Sequence, residues 1–245
     1  GPHLLDWKGE ADNQEVNVHV DGAIAAAWLL DIIENDHFLI VRWWPEIINR
    51  NHLYIPLRMQ ERLSTSLSIN TRKNILLECL PHLIIQDLTF SKIMINEMIN
   101  NLNSKEMAKI VSLAERISYN SIELALLLID HGFEFGGDSA VISQSALSAI
   151  ATHDEGAFLS RIEVAAYHPD IRSRRRFVQS GLRILMQIDP VDSREILLNL
   201  LIDNDEVSRS RLRRFAIEMC TNNPNIHTKI TQKLIENNME TNWLN

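Results

Sequence analysis

From Gly22 onward, apolar residues recur at helical spacing, and short polar segments interrupt the pattern about every 15 to 20 residues. These interruptions carry helix-stop signals, among them the segments HGFEFGGD, YHPD, QIDP and NNPN. Apolar positions three and four residues apart give each helix one face that must pack against a neighbour. The chain is therefore expected to fold into many helices of moderate length that cover one another.

The composition supports the same fold class. Hydrophobic residues make up 45% of the 245 residues, whereas the chain has only 8 glycines and 7 prolines. So few turn-forming residues do not suit the many tight turns of an all-β protein. The sequence predicts an all-α protein, either an α-solenoid or an irregular helical-repeat bundle of antiparallel helix pairs, with a short extended N-terminal arm.

Periodicity and stop signals together predict the individual helices. The predicted ranges are 56–66, 69–85, 91–101, 104–117, 121–131, 139–152, 156–167, 171–188, 193–202, 207–221 and 226–237. Helix pairs of this kind recur about every 33 to 38 residues, as in helical-repeat proteins. We interpret 22–245 as one helical-repeat domain, with an N-terminal helical part (22–120) and a repeat-like C-terminal part (121–245).

Two apolar segments stand at the start of this domain. AIAAAWLLDII and HFLIVRWWPEII, between residues 23 and 48, are apolar around most of the helical circumference. Such helices fit either an ordinary core or an interface between copies of the chain. The sequence is thus compatible with a homo-oligomer.

The first 21 residues differ from the rest in being polar and acidic. Gly1-Pro2-His3 resembles a remnant of a cleaved tag. Further along, EVNVHVDG alternates apolar and polar residues before an Asp-Gly turn signal, which is the period of a half-buried strand. We interpret 1–21 as a tag remnant and a flexible or extended arm, of a kind that can add a strand to a partner's sheet.

Two stretches resemble known helical repeats. IELALLLIDHGFEF and SALSAIA, within 122–151, resemble an ankyrin repeat, although the proline and histidine of that family's Thr-Pro-Leu-His-x-Ala box are missing. HPDIRSRRRFVQSGLRIL and DPVDSREILLNLLIDNDEVSRSRLRRFAIEMC, within 161–221, resemble HEAT repeats, in which an acidic turn precedes arginines. Both resemblances imply a curved stack of helix pairs that holds another macromolecule.

Arginine is concentrated in one part of the chain. Eleven of the 17 arginines lie between 161 and 214 beside eight acidic residues, giving that segment a net charge of +3 in a chain whose total is −8. On an ideal helix starting at Ile171, three of these arginines share a sector of about 40° opposite the apolar face. No carboxylate of that helix lies three or four residues from them. The candidate partner-binding residues are Arg172, Arg175, Arg176, Arg183, Arg211 and Arg214.

No motif in the sequence indicates catalysis or a bound cofactor. The nine histidines include no i,i+4 pair, and Cys79 and Cys220 provide neither a disulfide framework nor a zinc site. The segment THDEG places His153, Asp154 and Glu155 together, which we interpret as a turn or a helix cap. GFEFGGD lacks the preceding strand of a phosphate-binding loop and is interpreted as a linker. We expect no metal, no cofactor and no enzymatic activity.

The sequence favours a non-enzymatic protein-interaction module, either an adaptor or a subunit of a larger cytoplasmic assembly, whose partner presents an acidic patch to the arginines. The two cysteines and the short apolar runs favour a reducing compartment and no membrane span. Two alternatives stay open. One is an inhibitor or immunity protein that blocks a basic toxin or enzyme through its acidic surface; the other is a nucleic-acid-binding protein that uses the Arg-rich half. The arginines also fit a simple solvated outer face of helical repeats.

Overall fold

A computed structural model describes residues 3–11, 14–21, 69–86, 88–203, 206–221 and 223–244. The chain divides into two compact units, Gly1–Glu106 and Met107–Asn245. Every described residue from 69 onward lies in a helix, a turn or a short connection, so the predicted all-α class is confirmed for that part of the chain. The predicted helix 56–66 and the two apolar segments between 23 and 48 lie outside the described residues.

The described residues of the first unit include a hairpin and two long helices. Strands β1 (His3–Ala11) and β2 (Gln14–Asp21) pair antiparallel, with Trp7 opposite Val18 and an irregularity between His3 and Asp6. The alternating segment EVNVHVDG falls within β2 and its end. Helices α1 (Ile69–Gln86) and α2 (Leu88–Met98) pack on each other, and a 3₁₀ turn (Ile99–Asn101) follows.

Helix α3 (Ser104–Val111) begins in the first unit, and the remaining helices belong to the second. They are α4 (Ala114–Ser118), α5 (Ile122–Phe135), α6 (Gly137–Ile150), α7 (Glu155–Leu159), α8 (Ile162–Ala166), α9 (Ile171–Arg176), α10 (Leu182–Ile188), α11 (Pro190–Ile202), α12 (Glu206–Cys220) and α13 (Pro224–Glu236). A π-helical turn (Phe177–Gly181) joins α9 to α10 without a break in the helix.

Among the described residues of the second unit, capping side chains start five helices, and four of the five caps, all except Asp170 of α9, follow one another at nearly constant intervals. Each cap accepts a hydrogen bond from a backbone N–H of the first turn, and Asp189 and Asn223 are each followed by a proline at the first helical position. The caps of α5, α7, α11 and α13 are Ser121, Asp154, Asp189 and Asn223, which follow one another after 33, 35 and 34 residues. Local sequence therefore fixes these helix starts at a repeating interval.

Between α5 and α6, Gly136 is the whole connection. It adopts a φ of 78°, and Gly137, the first residue of α6, a φ of 58°. Side chains with a Cβ rarely adopt this left-handed region, so two glycines in succession permit a reversal that other residues would strain. The linker predicted at GFEFGGD is thus a single residue, because Phe133 and Phe135 still belong to α5.

Polar contacts between helices join residues about 30 positions apart and sort the helices into two rows. In the first row, α5, α8 and α11 are connected; in the second row, α6, α9 with α10, and α12 are connected. The contacts are Asp130–Arg161 and Tyr167–Asn199 in the first row, and Ser145–Arg176, Asp138–Arg172 and Arg183–Glu218 in the second. Their sequence separations run from 31 to 35 residues.

Gln144 links the rows within a largely apolar core. Its side chain is 1% exposed, and its Nε2 donates to the backbone carbonyl of Ala165 at 2.7 Å and to Oγ of Ser173 at 3.1 Å. Ala165 lies in the last turn of α8, where carbonyls have no partner within the helix. One buried amide on α6 therefore binds both α8 and α9.

Candidate interaction surfaces

Arg172 stands at the start of α9, where two carboxylates contact it. Its Nη1 is 2.8 Å from Oδ1 of Asp138 on α6, and its Nη2 is 3.6 Å from Oδ2 of Asp170, the cap of α9. Burial alone would raise the pKa of Asp170, but a hydrogen bond from the backbone N–H of Arg172 and the guanidinium charge lower it below its usual value. Arg172 remains 56% exposed, so it is paired and still accessible.

The next arginines of α9 are less exposed. Nε of Arg176 donates to Oγ of Ser145 on α6 at 2.9 Å, and the side chain is half-buried. Arg175 is also half-buried. Arg174 donates to the backbone carbonyl of His168 at 3.0 Å and lies 3.9 Å from Asp203. Arg174 and Arg176 thus bind their surroundings, and all three side chains offer less surface to a partner than Arg172.

Arg183 contacts α12. Its Nη2 lies 3.2 Å from Oε2 and 3.4 Å from Oε1 of Glu218, and its guanidinium carbon is 5.9 Å from the centre of the Phe215 ring. The side chain is 59% exposed. Although Glu218 lies four residues after Arg214 on α12, it pairs with Arg183 of α10.

The π turn explains why Arg172, Arg176 and Arg183 do not line up as an ideal helix predicts. A π turn spaces its hydrogen bonds one residue further apart than an α-helix does, so residues after it are rotated by about 100°, the angle of one residue. Arg172 and Arg176 accordingly contact α6, whereas Arg183 contacts α12 on the other side. The three arginines therefore lie at two separate helix–helix contacts, here called seams, and not within one sector of about 40°.

On α12, Arg211 and Arg214 are both exposed. Nη1 of Arg211 lies 3.5 Å from the backbone carbonyl of Gln179, in the π turn. For Arg214, the described residues provide no hydrogen bond and no ion pair. We define the arginine face as the exposed set Arg172, Arg183, Arg211 and Arg214.

Residues that the sequence singled out for chemistry have structural roles here. Asp154 caps α7 by accepting from the backbone N–H of Ala157 at 2.8 Å, as the turn interpretation predicted. The ring of His153 stacks on Tyr119, and its Nε2 lies 3.0 Å from Oγ of Ser118, which itself donates to the carbonyl of Glu115. Among the described ranges, no group of three or more His, Cys, Asp or Glu is placed to hold a metal ion.

Two buried polar residues carry contacts that sequence reasoning missed. His168 is 4% exposed; its Nε2 lies 2.9 Å from the carbonyl of Phe133, and its Nδ1 accepts from the backbone N–H of Asp170 at 3.1 Å. That arrangement requires the proton on Nε2. Gln144 is the second. Cys220 has no such partner role; burial raises the pKa of its thiol. The sequence carries no signal for either residue, because Gln144 lies between two serines and His168 lies in the turn segment YHPD.

The chain matches no protein-family model, and no curated protein and no solved structure matches it. In the portion of the chain that the structure describes, no helix is both long enough and apolar enough to cross a lipid bilayer.

Proposed function

We propose that the chain is a non-enzymatic protein-interaction module, a cytoplasmic adaptor or a subunit of a larger assembly, built as a solenoid of antiparallel helix pairs. Two observations support the repeat architecture. Four of the helix caps recur after 33, 35 and 34 residues, and several polar contacts between helices join residues 31 to 35 positions apart. Stacked repeats present long rows of side chains, and such rows commonly bind other macromolecules.

The arginine face is the surface that we assign to the partner, and its exposed ion pairs carry the proposal. Arg172 and Arg183 are 56% and 59% exposed, and their carboxylates Asp138 and Glu218 are 76% and 50% exposed. Exposed ion pairs contribute only about 0–1 kcal/mol, so a partner's carboxylate replaces an internal one at little cost. The guanidinium also binds carboxylates in a bidentate geometry.

An acidic protein suits this surface better than nucleic acid does. The segment 161–214 carries +3, but the other residues carry −11, which follows from the total of −8. Binding to a long polyanion depends on several cations that neutralise phosphates, and the surrounding negative charge opposes it. A compact acidic patch contacts the arginine face alone.

The test compares two variants with the same change in charge. The first is Arg183→Gln/Arg211→Gln/Arg214→Gln, on the arginine face. The matched control is Arg116→Gln/Lys229→Gln/Lys233→Gln, which removes three exposed cations elsewhere in the second unit. Wild type and both variants are used as bait in nuclease-treated lysate, and captured proteins are identified by mass spectrometry. Arg176 is left intact because its bond to Ser145 supports packing.

We expect a stoichiometric acidic partner that wild type and the control retain and the arginine-face variant loses. Equal capture by both variants would remove the arginine face as the site. Proteins that are captured only when the lysate has not been treated with nuclease would favour the nucleic-acid alternative. A basic protein that stays bound to the arginine-face variant would instead favour the inhibitor alternative, in which the acidic surface makes the contact.

A further inference from the structure

The first row of helices offers a second surface with the opposite charge. Helix α8 forms a ridge between two hollows. The larger, of about 590 Å³, lies between α5 and α8 and includes the apolar side chains of Phe133, Val164 and Pro169 in its wall. The smaller, of about 130 Å³, lies between α8 and α11 and is lined by residues that include Glu163 and Tyr167. We define the acidic groove as the smaller hollow with Glu163, Tyr167, Asp192 and Glu195 in its wall, together with two exposed valines outside it, Val164 on α8 and Val191 on α11.

Three apolar side chains of the acidic groove are exposed. Val164 is 54% exposed, Tyr167 44% and Val191 66%. Val164 of α8 borders the larger hollow, whereas Tyr167, which directly follows α8, lines the smaller one. Helical spacing places Val191 on the same side of α11 as Glu195. Single exposed apolar residues are ordinary, but a group of them beside a hollow marks a contact surface. The ring of Tyr167 is also held in place, since its hydroxyl accepts from Nδ2 of Asn199 at 2.9 Å.

The carboxylates of the acidic groove lack cations of their own. Within the described ranges, Glu163, Asp192 and Glu195 make no side-chain hydrogen bond and no ion pair, and all three are exposed. Arg161 precedes α8, but Asp130 engages it through two hydrogen bonds of 3.1 and 2.8 Å. The hydrogen bond to Asp130 raises the pKa of the Arg161 guanidinium, so this cation stays charged and paired with Asp130. Arg194 of α11 is half-buried rather than exposed.

Size and charge together restrict what the groove can accept. The smaller hollow is well below the roughly 300–1,000 Å³ of a small-molecule site, but it suits one side chain. Among the residues placed by the structure, no acidic cluster is arranged to bind a metal ion. Nucleic acid and acidic proteins are repelled by three carboxylates without counter-charges.

We propose that the acidic groove binds a cationic segment of a protein partner, whose lysine or arginine enters the smaller hollow while neighbouring apolar side chains lie on Val164 and Val191. The cation then meets the carboxylates of Glu163 and Glu195 and the face of the Tyr167 ring, an arrangement that stabilises a positive charge. This surface differs in helices and in charge from the arginine face, so the chain would hold two partner segments, one on each row.

The probe is a phage-displayed library of random peptides selected on the full chain. Selected peptides are synthesised with a fluorescent label, and their binding is measured by anisotropy against two matched variants. Glu163→Gln/Glu195→Gln removes two carboxylates of the acidic groove. Glu115→Gln/Glu240→Gln removes two exposed carboxylates elsewhere in the second unit. The arginine-face variant serves as a third comparison, because it tests the other surface alone.

We expect the selected peptides to combine lysine or arginine with aliphatic or aromatic residues. Their affinity should fall by about tenfold in Glu163→Gln/Glu195→Gln, decrease with added salt, and stay unchanged in the other two variants. Selection of peptides without basic residues, equal binding to both carboxylate variants, or the absence of any selected peptide would overturn the proposal. Loss of peptide binding in the arginine-face variant would do so as well, independently of the lysate experiment.

Discussion

Replacing Gln144 by methionine should destabilise the second unit much more than its modest change in shape implies. The amide is 1% exposed and donates to the carbonyl of Ala165 at 2.7 Å and to Oγ of Ser173 at 3.1 Å. Methionine has a similar length but no donor, so the carbonyl at the end of α8 would stay buried without a partner. Ser173 is affected less, because its hydroxyl also lies 3.5 Å from the carbonyl of Ala140.

The expected magnitude follows from the one carbonyl that loses its donor. A buried polar group left without a hydrogen bond costs about 1–3 kcal/mol. We therefore expect Gln144→Met to lower the free energy of unfolding by about 2 kcal/mol, which corresponds to a decrease in Tm of roughly 4–8 °C for a chain of this size. The exposed Gln187 on α10 provides the matched control, since Gln187→Met should change stability by less than about 0.5 kcal/mol.

Urea unfolding followed by circular dichroism measures both variants. A double-mutant cycle with Ser173→Ala adds a sharper test, because the two side chains share a hydrogen bond. The double variant should be less destabilised than the sum of the single variants, by at least about 0.5 kcal/mol. If Gln144→Met unfolds at the same urea concentration as Gln187→Met, the buried amide does not support the junction of the two rows and the reasoning is refuted.

Two further predictions concern the continuous run from α9 to α10 and its cap. Gly181→Ala should destabilise the protein by about 1–3 kcal/mol, because a Cβ there would lie 2.6 Å from Cδ2 of the fully buried Phe177. Thermal unfolding measures the change. A higher Tm, which the same substitution gives at an ordinary helical glycine, would contradict the prediction. The pKa of Asp170 is lower in the folded chain than in the unfolded chain, where it is about 3.9. The ionised carboxylate therefore stabilises the fold fully above about pH 3.9, and this contribution is lost as the pH falls through the folded pKa. Stability of the wild type should thus fall more steeply below about pH 4 than that of Asp170→Asn, and parallel pH profiles would speak against the shift.

The helix boundaries predicted from local signals agree with the structure at some ends and differ by two or three residues at others: α11 and α13, predicted to begin at 193 and 226, begin at Pro190 and Pro224. The helix predicted at 69–85 is observed as α1 (Ile69–Gln86), and the one predicted at 171–188 is the continuous run from α9 to α10. Asp170 and Asp189 begin α9 and α11 with side-chain hydrogen bonds that depend only on nearby residues. Such helix starts can be predicted from sequence because the capping side chain and the backbone N–H groups that it binds lie within one turn of each other.

Other features depend on residues about one repeat away, and the sequence alone could not supply them. The single helix predicted at 156–167 is two short helices, α7 and α8, separated at Ser160 and Arg161. Arg161 is engaged there by Asp130, 31 positions earlier. In the same way, the carboxylates that pair with the arginines come from α6 and α12. A pattern search within one helix finds no partner for Arg172 or Arg183 because their partners are brought close by the fold.

The π turn has a mechanical consequence for the second row of helices. Its hydrogen bonds are spaced one residue wider than those of α9 and α10, and an irregular turn is where long helices kink. When a partner pulls on both rows, strain should collect at Phe177–Gly181, between the seam that holds Arg172 and the seam that holds Arg183. The helix would then work as a compliant joint, which lets two neighbouring contacts adjust independently while the backbone stays continuous.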